Sequence, residues 1–233
     1  TDGDGSHGST SKTPSYTKSV SWHHYPITRD FGFAPNPFHG SCTLATCKPG
    51  IRKSAKVGDW ILGVGGANLK SAKKKCILLM KVSEKISFNG YWEDTRFSLK
   101  KPARNGSHVQ ILGDNIYHQN ENNEWIQEDS HHSNADGSFN MTNLERDTSS
   151  NNVLISDHFY YFGNKAIEVD LDSIEYHRIR NYKKIPLNST IPAIDLIKKI
   201  EFDFRSDKNS VISDPCNFSD FYKRVDQGTG ELY

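Results

Sequence analysis

Apolar and polar positions alternate from Ser19 to Thr28, which predicts a first strand with Val20, Trp22 and His24 on one face. Pro35 and Pro37 then interrupt regular structure, so residues 32–40 read as an ordered loop. Residues 41–55 suggest a short helical region that Pro49 must bend or divide. The run Trp60-Ile61-Leu62-Gly63-Val64 follows a Gly58-Asp59 turn and stops in Gly65-Gly66, the pattern of a buried strand. A basic loop with Lys70, Lys73, Lys74 and Lys75 leads to a second apolar run, Cys76 to Ser83, and the two runs predict an antiparallel hairpin.

Beyond Ile86 the pattern becomes aromatic and charged, and a short helix or turn is predicted. Strand pieces are expected at residues 109–117 and 125–128 around the turn-forming Asn120-Glu121-Asn122-Asn123. Residues 129–152 are polar and without period, so they read as a long loop that is functional or disordered. An apolar strand is predicted over 152–162 and another over 174–183, where Tyr176, Arg178 and Arg180 share a side. Ile194, Ile197, Ile200 and Phe204 recur at helical spacing, predicting a helix over 191–204 packed on a sheet. There are no internal repeats. Short strands interleaved with short helices predict an α+β fold with a mostly antiparallel sheet that closes into a barrel.

Composition changes this picture little. The chain has 233 residues, enough for one large domain, and only 35% are hydrophobic, but 12 Phe, 10 Tyr and 4 Trp supply a core. The formal net charge of +1 excludes a polybasic mechanism for the whole chain, though not a local basic patch. The most apolar short run, Ile77 to Met80, is far shorter than the roughly 18 residues of a membrane span. Four scattered cysteines are too few for a disulfide scaffold, and a cytoplasmic protein without a membrane partner is expected. Residues 1–18 read as a disordered leader.

Reactive residue types are densest between Phe38 and Pro49. His39, Cys42 and Cys47 could ligate zinc, but Cys-x4-Cys is a loose spacing with no second pair, so no metal is expected. Cys42 or Cys47 could act as a nucleophile activated by Lys48 or a histidine; the alternative is small buried thiols packing the core. Lys48 and Arg52, at i and i+4, could hold a phosphate with help from Thr43 or Thr46, or form a solvated face. Gly63-Val64-Gly65-Gly66 lacks the Lys-Ser/Thr of a phosphate loop and reads as a tight turn. Tyr91, Trp92 and Phe97 with Asp94, Arg96 and Lys101 suit base stacking beside a phosphate, or an aromatic core with surface ion pairs. His132 paired with Asp136 or Asp114 could perform acid–base chemistry, although Asp-Gly turns place the same residue types without chemistry.

Several of these segments, in order, resemble one family. The runs Asp30-x-Gly32-Phe33-Ala34-Pro35-Asn36-Pro37-Phe38 and Cys42-Thr43-Leu44-Ala45-x-Cys47-Lys48-Pro49-x-Ile51-Arg52 are similar to the second type of nucleotide modification associated domain. So are Gly58-Asp59-Trp60, Tyr91-Trp92-x-Asp94-x-Arg96-Phe97, Lys100-Lys101-Pro102, Gly113-Asp114-Asn115-Ile116-Tyr117, His132-Ser133-x-x-Asp136-Gly137-Ser138 and Tyr161-Phe162-Gly163. The resemblance spans about residues 20–185, taken as the domain, with 186–233 as a C-terminal helix and extension packed on it. It implies association with systems that modify or handle altered nucleic-acid bases, as in DNA base hypermodification or defence, and leaves the biochemical activity open. A looser fold analogy links the strand order to EVE, ASCH and PUA-like barrels, which hold a base beside the barrel.

The expected function is recognition of a modified base or nucleotide, in nucleic acid or free, without a cofactor. Tyr91, Trp92 and Phe97 would stack the base; Asp94, Asp114 and Asn115 would read its edge. Lys48, Arg52, Arg96 and Lys101 would hold phosphate, and Asn36, Thr43, Trp60, Tyr117 and Ser133 would complete the pocket. The alternative is an enzyme in the same pocket, with His132 as acid and base, Asp136 or Asp114 orienting it, and Cys42 or Cys47 as nucleophile.

Overall fold

The computed structural model describes residues 20–177 and 181–233. The expected leader and the predicted strand positions Arg178 and Arg180 lie outside these residues. The fold is mixed α+β. Its centre is a six-stranded sheet. In spatial order it contains Lys183–Pro186, Ser21–Ile27, Trp60–Gly65, Cys76–Lys81, His158–Tyr161 and Ser210–Val211. In chain order we label the strands β1 (Ser21–Ile27), β2 (Cys42–Leu44), β3 (Trp60–Gly65), β4 (Cys76–Lys81), β5 (Glu84–Ile86), β6 (Tyr117–Gln119), β7 (Trp125–Gln127), β8 (Val153–Ser156), β9 (His158–Tyr161), β10 (Lys183–Pro186) and β11 (Ser210–Val211). The helices are α1 (Pro49–Ser54), α2 (Phe88–Glu93), α3 (His108–Ile111), α4 (Met141–Thr148) and α5 (Ile191–Asp203).

The β3–β4 hairpin forms as predicted, antiparallel with Ile61 opposite Met80. It turns at Gly65, where a Cβ would lie 1.9 Å from the Ala72 carbonyl oxygen, so only glycine lets the basic loop pass. Strand β1 runs parallel to β3 and antiparallel to β10. Most pairs are antiparallel, but among the described residues β10 and β11 end the sheet and no pairing closes it into a barrel.

A second sheet, β2-β8-β5, packs on one face of the first. Tyr25, Ile61, Leu78 and Phe159 of the large sheet meet Cys42, Leu44 and Leu154 of the small one in the first core. On the other face, Trp22, Trp60, Leu62 and Leu79 pack against Ala193, Ile197 and Ile200 of α5, the predicted inward stripe of that helix. A third core beyond the small sheet gathers Phe31, Phe33, Phe88, Tyr91, Phe97 and Leu144.

Five local predictions need correction. The strand expected over 174–183 begins, among the described residues, only at Lys183 and runs to Pro186. Residues 42–44 form a strand, and Pro49 starts α1 instead of bending a longer helix; its missing N–H costs nothing at a first helical position. Residues 108–111 are helical, and the strand begins only at Tyr117. The apolar run 152–162 is two strands, β8 and β9, in different sheets. The polar stretch 129–152 contains α4, capped by the Asn140 side chain, which accepts the Asn143 N–H.

Candidate active site

The turn between β2 and α1 carries Cys47 and Lys48, both with left-handed backbones (φ 54° and 41°). Such conformations are costly away from glycine and cluster where geometry serves function. Two contacts hold the turn: the Cys47 N–H donates to Asp147 Oδ1 at 2.8 Å, and the Cys47 carbonyl accepts from Arg52 Nε at 2.8 Å. The thiol is thereby fixed against the imidazole of His132, with Sγ 3.7 Å from Nε2. The opposite nitrogen, Nδ1, lies 2.8 Å from Asp147 Oδ2, and both His132 and Asp147 are buried. Cysteine, histidine and carboxylate thus form a line in which one group orients the next.

The supports of the line are equally specific. Tyr117 donates its hydroxyl to Asp147 Oδ2 at 2.9 Å, and Gln227 donates its amide to Asp147 Oδ1 at 3.2 Å. Arg52, fully buried, donates to the carbonyls of Cys47, Asp147, Ser150 and Asn152. It ties the cysteine turn to the end of α4, so both halves of the site share one clamp.

Electrostatics favour a charged His132. Burial works against the cation, but the Asp147 carboxylate and then Cys47 override it and push the ring up to about 10. Asp147 is penalised by burial too, yet His132 and Arg52 hold its carboxyl below the usual range. The neighbouring His131 behaves oppositely: burial, aided by the charge on His132, lowers it to about 3.

The same three side chains place their ligand atoms within 4.8 Å of one another, a spacing a metal ion could use. Their hydrogen bonds fit a triad better. Both oxygens of Asp147 already accept, from Cys47 and Gln227 on one side and from Tyr117 and His132 on the other. A carboxylate occupied in this way orients a histidine and has little left for a cation.

Cys47 and His132 open into a cavity of about 660 Å³. Its walls include Phe31 and Phe33, the cations Arg29, Lys48 and Arg146, and Gln227 from the C-terminal segment. Of the residues singled out in the sequence, Cys47, Lys48 and His132 line it. Tyr117 and Arg52 stand behind it as supports.

The other expected site residues lie elsewhere. Asp114 is buried and accepts from Thr43 (2.6 Å) and Tyr91 (2.8 Å), far from any role in orienting His132. Lys100, also buried, donates to Thr43 Oγ1, Asn36 Oδ1 and two carbonyls of the same loop. With Asn115, whose Nδ2 donates to the Tyr91 carbonyl at 2.8 Å while its Oδ1 is buried without a partner among the described residues, these residues form an internal polar network. Asp136 is exposed and caps its own turn through Ser138. Asp147 therefore takes the role expected of Asp136 or Asp114. Cys42 is buried beside Met80, and burial pushes its thiol up to about 12, which removes it as a nucleophile.

Phe97 is buried against Tyr91, and Trp60 lies in the core beside α5 with its ring 5.1 Å from His158. Ser133 closes a turn with Ser130 and receives Arg224. Trp92 stacks on His118 at 4.1 Å with Lys101 Nζ 3.6 Å over its ring, while Arg96 pairs with Asp94 and Glu84 on the surface. The expected convergence of Trp92, Asn115 and Arg52 on one cavity does not occur.

Fold and site together define an α+β domain built around a Cys-His-Asp constellation. The chain belongs to the nucleotide modification associated domain 2 family, whose sequence model matches residues 19–221. The match extends past residue 185 and includes α5. The family's name associates it with nucleotide modification systems. No curated protein and no solved structure matches the chain. No helix of the described residues is long and apolar enough to cross a membrane.

Proposed function

We propose that this domain is a thiol-dependent enzyme that transfers or hydrolyses a group on a nucleotide or modified base, with Cys47 as nucleophile. The observation that carries the reading is the line from Cys47 Sγ to His132 Nε2 (3.7 Å) and from His132 Nδ1 to Asp147 (2.8 Å), open at the cysteine end to a cavity. A pocket that only reads a base has no use for a thiol held beside a protonated imidazole.

The chemistry follows from the charge states. Cys47 thiolate attacks an electrophilic carbon of the substrate and forms an S–C bond. His132 gives the proton on Nε2 to the departing group, whose bond to that carbon breaks. With the thiolate consumed and its negative charge gone, the imidazole is neutral and can accept a proton from water or an acceptor hydroxyl or amine, which attacks the same carbon and releases the thiolate. Asp147 keeps its place on Nδ1 throughout and fixes the ring. The Lys48 N–H, next in the chain after the nucleophile and without an acceptor among the described residues, is available to an oxyanion.

Nucleotides as substrates are supported by the family and by cations and phenyl rings in one cavity. The test is intact-mass spectrometry of wild type and Cys47→Ser after incubation with modified nucleotides and oligonucleotides carrying an ester, amide or thioester. A covalent adduct or a changed substrate mass that requires Cys47 is expected. Tight binding with no mass change in either protein would return the domain to the recognition reading.

A further inference from the structure

We infer that the cavity beside Cys47 contains an oxyanion subsite formed by Lys48, Arg146 and Arg29, so that the molecule delivered to the thiol carries a phosphate or carboxylate. The inference rests on the thiol chemistry proposed above and narrows its substrate. All three cations line the cavity, and no carboxylate of a described residue does. None of them forms an ion pair among the described residues: Lys48 Nζ stands 5.3 Å over the Tyr25 ring, Arg146 donates one N–H to the Gln227 carbonyl at 2.9 Å, and Arg29 donates to the Gly230 carbonyl. Arg96 with Glu84 and Asp94, and Lys75 with Glu168, show the paired arrangement that these three cations lack.

In a chain whose formal charge is only +1, three uncompensated cations around one concave site are a local concentration of positive potential. Lys48 and Arg146 are close enough to feel each other: burial lowers the Lys48 ammonium from its ordinary value, Cys47 opposes that shift, and the Arg146 charge adds a smaller lowering. An anion between them relieves that repulsion. The two arginines also use single N–H groups to hold the turn at 227–230, leaving the rest of each guanidinium fork for a ligand. Lys48 follows the nucleophile directly in the chain, so an anion bound there brings the rest of its molecule to the thiol.

The experiment compares alkylation of Cys47 by iodoacetate, an anion, and by iodoacetamide, its neutral counterpart, read by peptide mass spectrometry. The ratio of the two rates divides out thiolate reactivity. Relative to the same thiol in the urea-unfolded chain, the native ratio is expected to favour iodoacetate by about tenfold. The preference should shrink with added salt. It should be lost in Lys48→Met and in Lys48→Met/Arg146→Met, and kept in Lys199→Met on α5. Protection of Cys47 from iodoacetamide by inorganic phosphate assigns a phosphate, and stronger protection by acetate assigns a carboxylate; either supports the subsite. A native ratio equal to the unfolded one, with no protection by either anion, overturns it. If Cys47 reacts with neither reagent the nucleophile proposal falls instead, and the subsite is then decided by whether phosphate raises the melting temperature of wild type and not of Lys48→Met.

Discussion

Asp147 accepts the backbone N–H of Cys47 at 2.8 Å with one carboxylate oxygen while the other oxygen holds His132. One buried group therefore sets both the path of the chain at the nucleophile and the orientation of its imidazole. Loosening it moves two parts of the site together.

Selective labelling is the first consequence. Iodoacetamide at neutral pH should modify Cys47 faster than Cys42, Cys76 or Cys216 by about two orders of magnitude, because burial pushes those three thiols up and Cys47 faces the cavity. Peptide mapping after a short exposure measures this directly, and uniform labelling would refute it.

Removing the imidazole or the carboxylate should cost both reactivity and stability, because each is the buried charged partner of the other. His132→Asn is expected to slow Cys47 alkylation by about 10²-fold at neutral pH. Asp147→Asn removes the charge that keeps the buried imidazole protonated and puts an NH2 where a carboxylate oxygen accepts, and should lower the unfolding free energy by roughly 3–5 kcal/mol. Alkylation rates and urea melts on the same samples separate the two effects.

Stability should fall on both sides of neutrality for different histidines. His131 is lowered to about 3 and His24 to about 4, so they bind protons in the unfolded chain before the folded one; their contribution is present above about pH 6.5 and is lost as pH falls toward those values. His132 is raised to about 10, so its contribution is complete below about pH 6.5 and is lost as pH rises toward 10. Urea melts across this range should show a maximum near pH 6–7, and His131→Leu should flatten the acid limb alone.

Arg52→Met keeps much of the side-chain volume and leaves the carbonyls of Cys47, Asp147, Ser150 and Asn152 without their donor. A loss on the order of 3 kcal/mol is expected, with slower Cys47 alkylation in the protein that remains folded. A phosphate-binding role for Arg52 would instead leave stability unchanged.

The elements legible in the sequence are those whose burial is apolar. β1, β3, β4 and α5 carry alternating, continuous or helical hydrophobic patterns, and each forms near its predicted place. α4 is hidden because it is polar throughout: of its inward residues Asn143, Leu144 and Asp147, only Leu144 is apolar. Asn140 three residues before Asn143 was the available signal, as a helix N-cap. The site followed the same rule. Cys47 and His132 stand out by chemical type, whereas Asp147 sits on the concealed helix and Gln227 comes from a region without pattern. Asp114 looks equally suitable as a partner for His132, but Thr43 and Tyr91 already occupy it. Lys48 and Arg52 suggest one helical face only if the helix includes both, and Lys48 precedes it.

The break at Asp157 ties the two sheets into one mechanical unit. Ser156 closes the small sheet opposite Cys42, and His158 opens the adjoining strand of the large one opposite Lys81, with a single residue between them. An extra residue accommodated in β8 would slip that strand by one position and turn its faces inside out. Its partner β2 runs directly into the cysteine turn, so the slip would travel to the thiol. Homologues that preserve the chemistry should therefore vary in length almost anywhere before they vary at this corner.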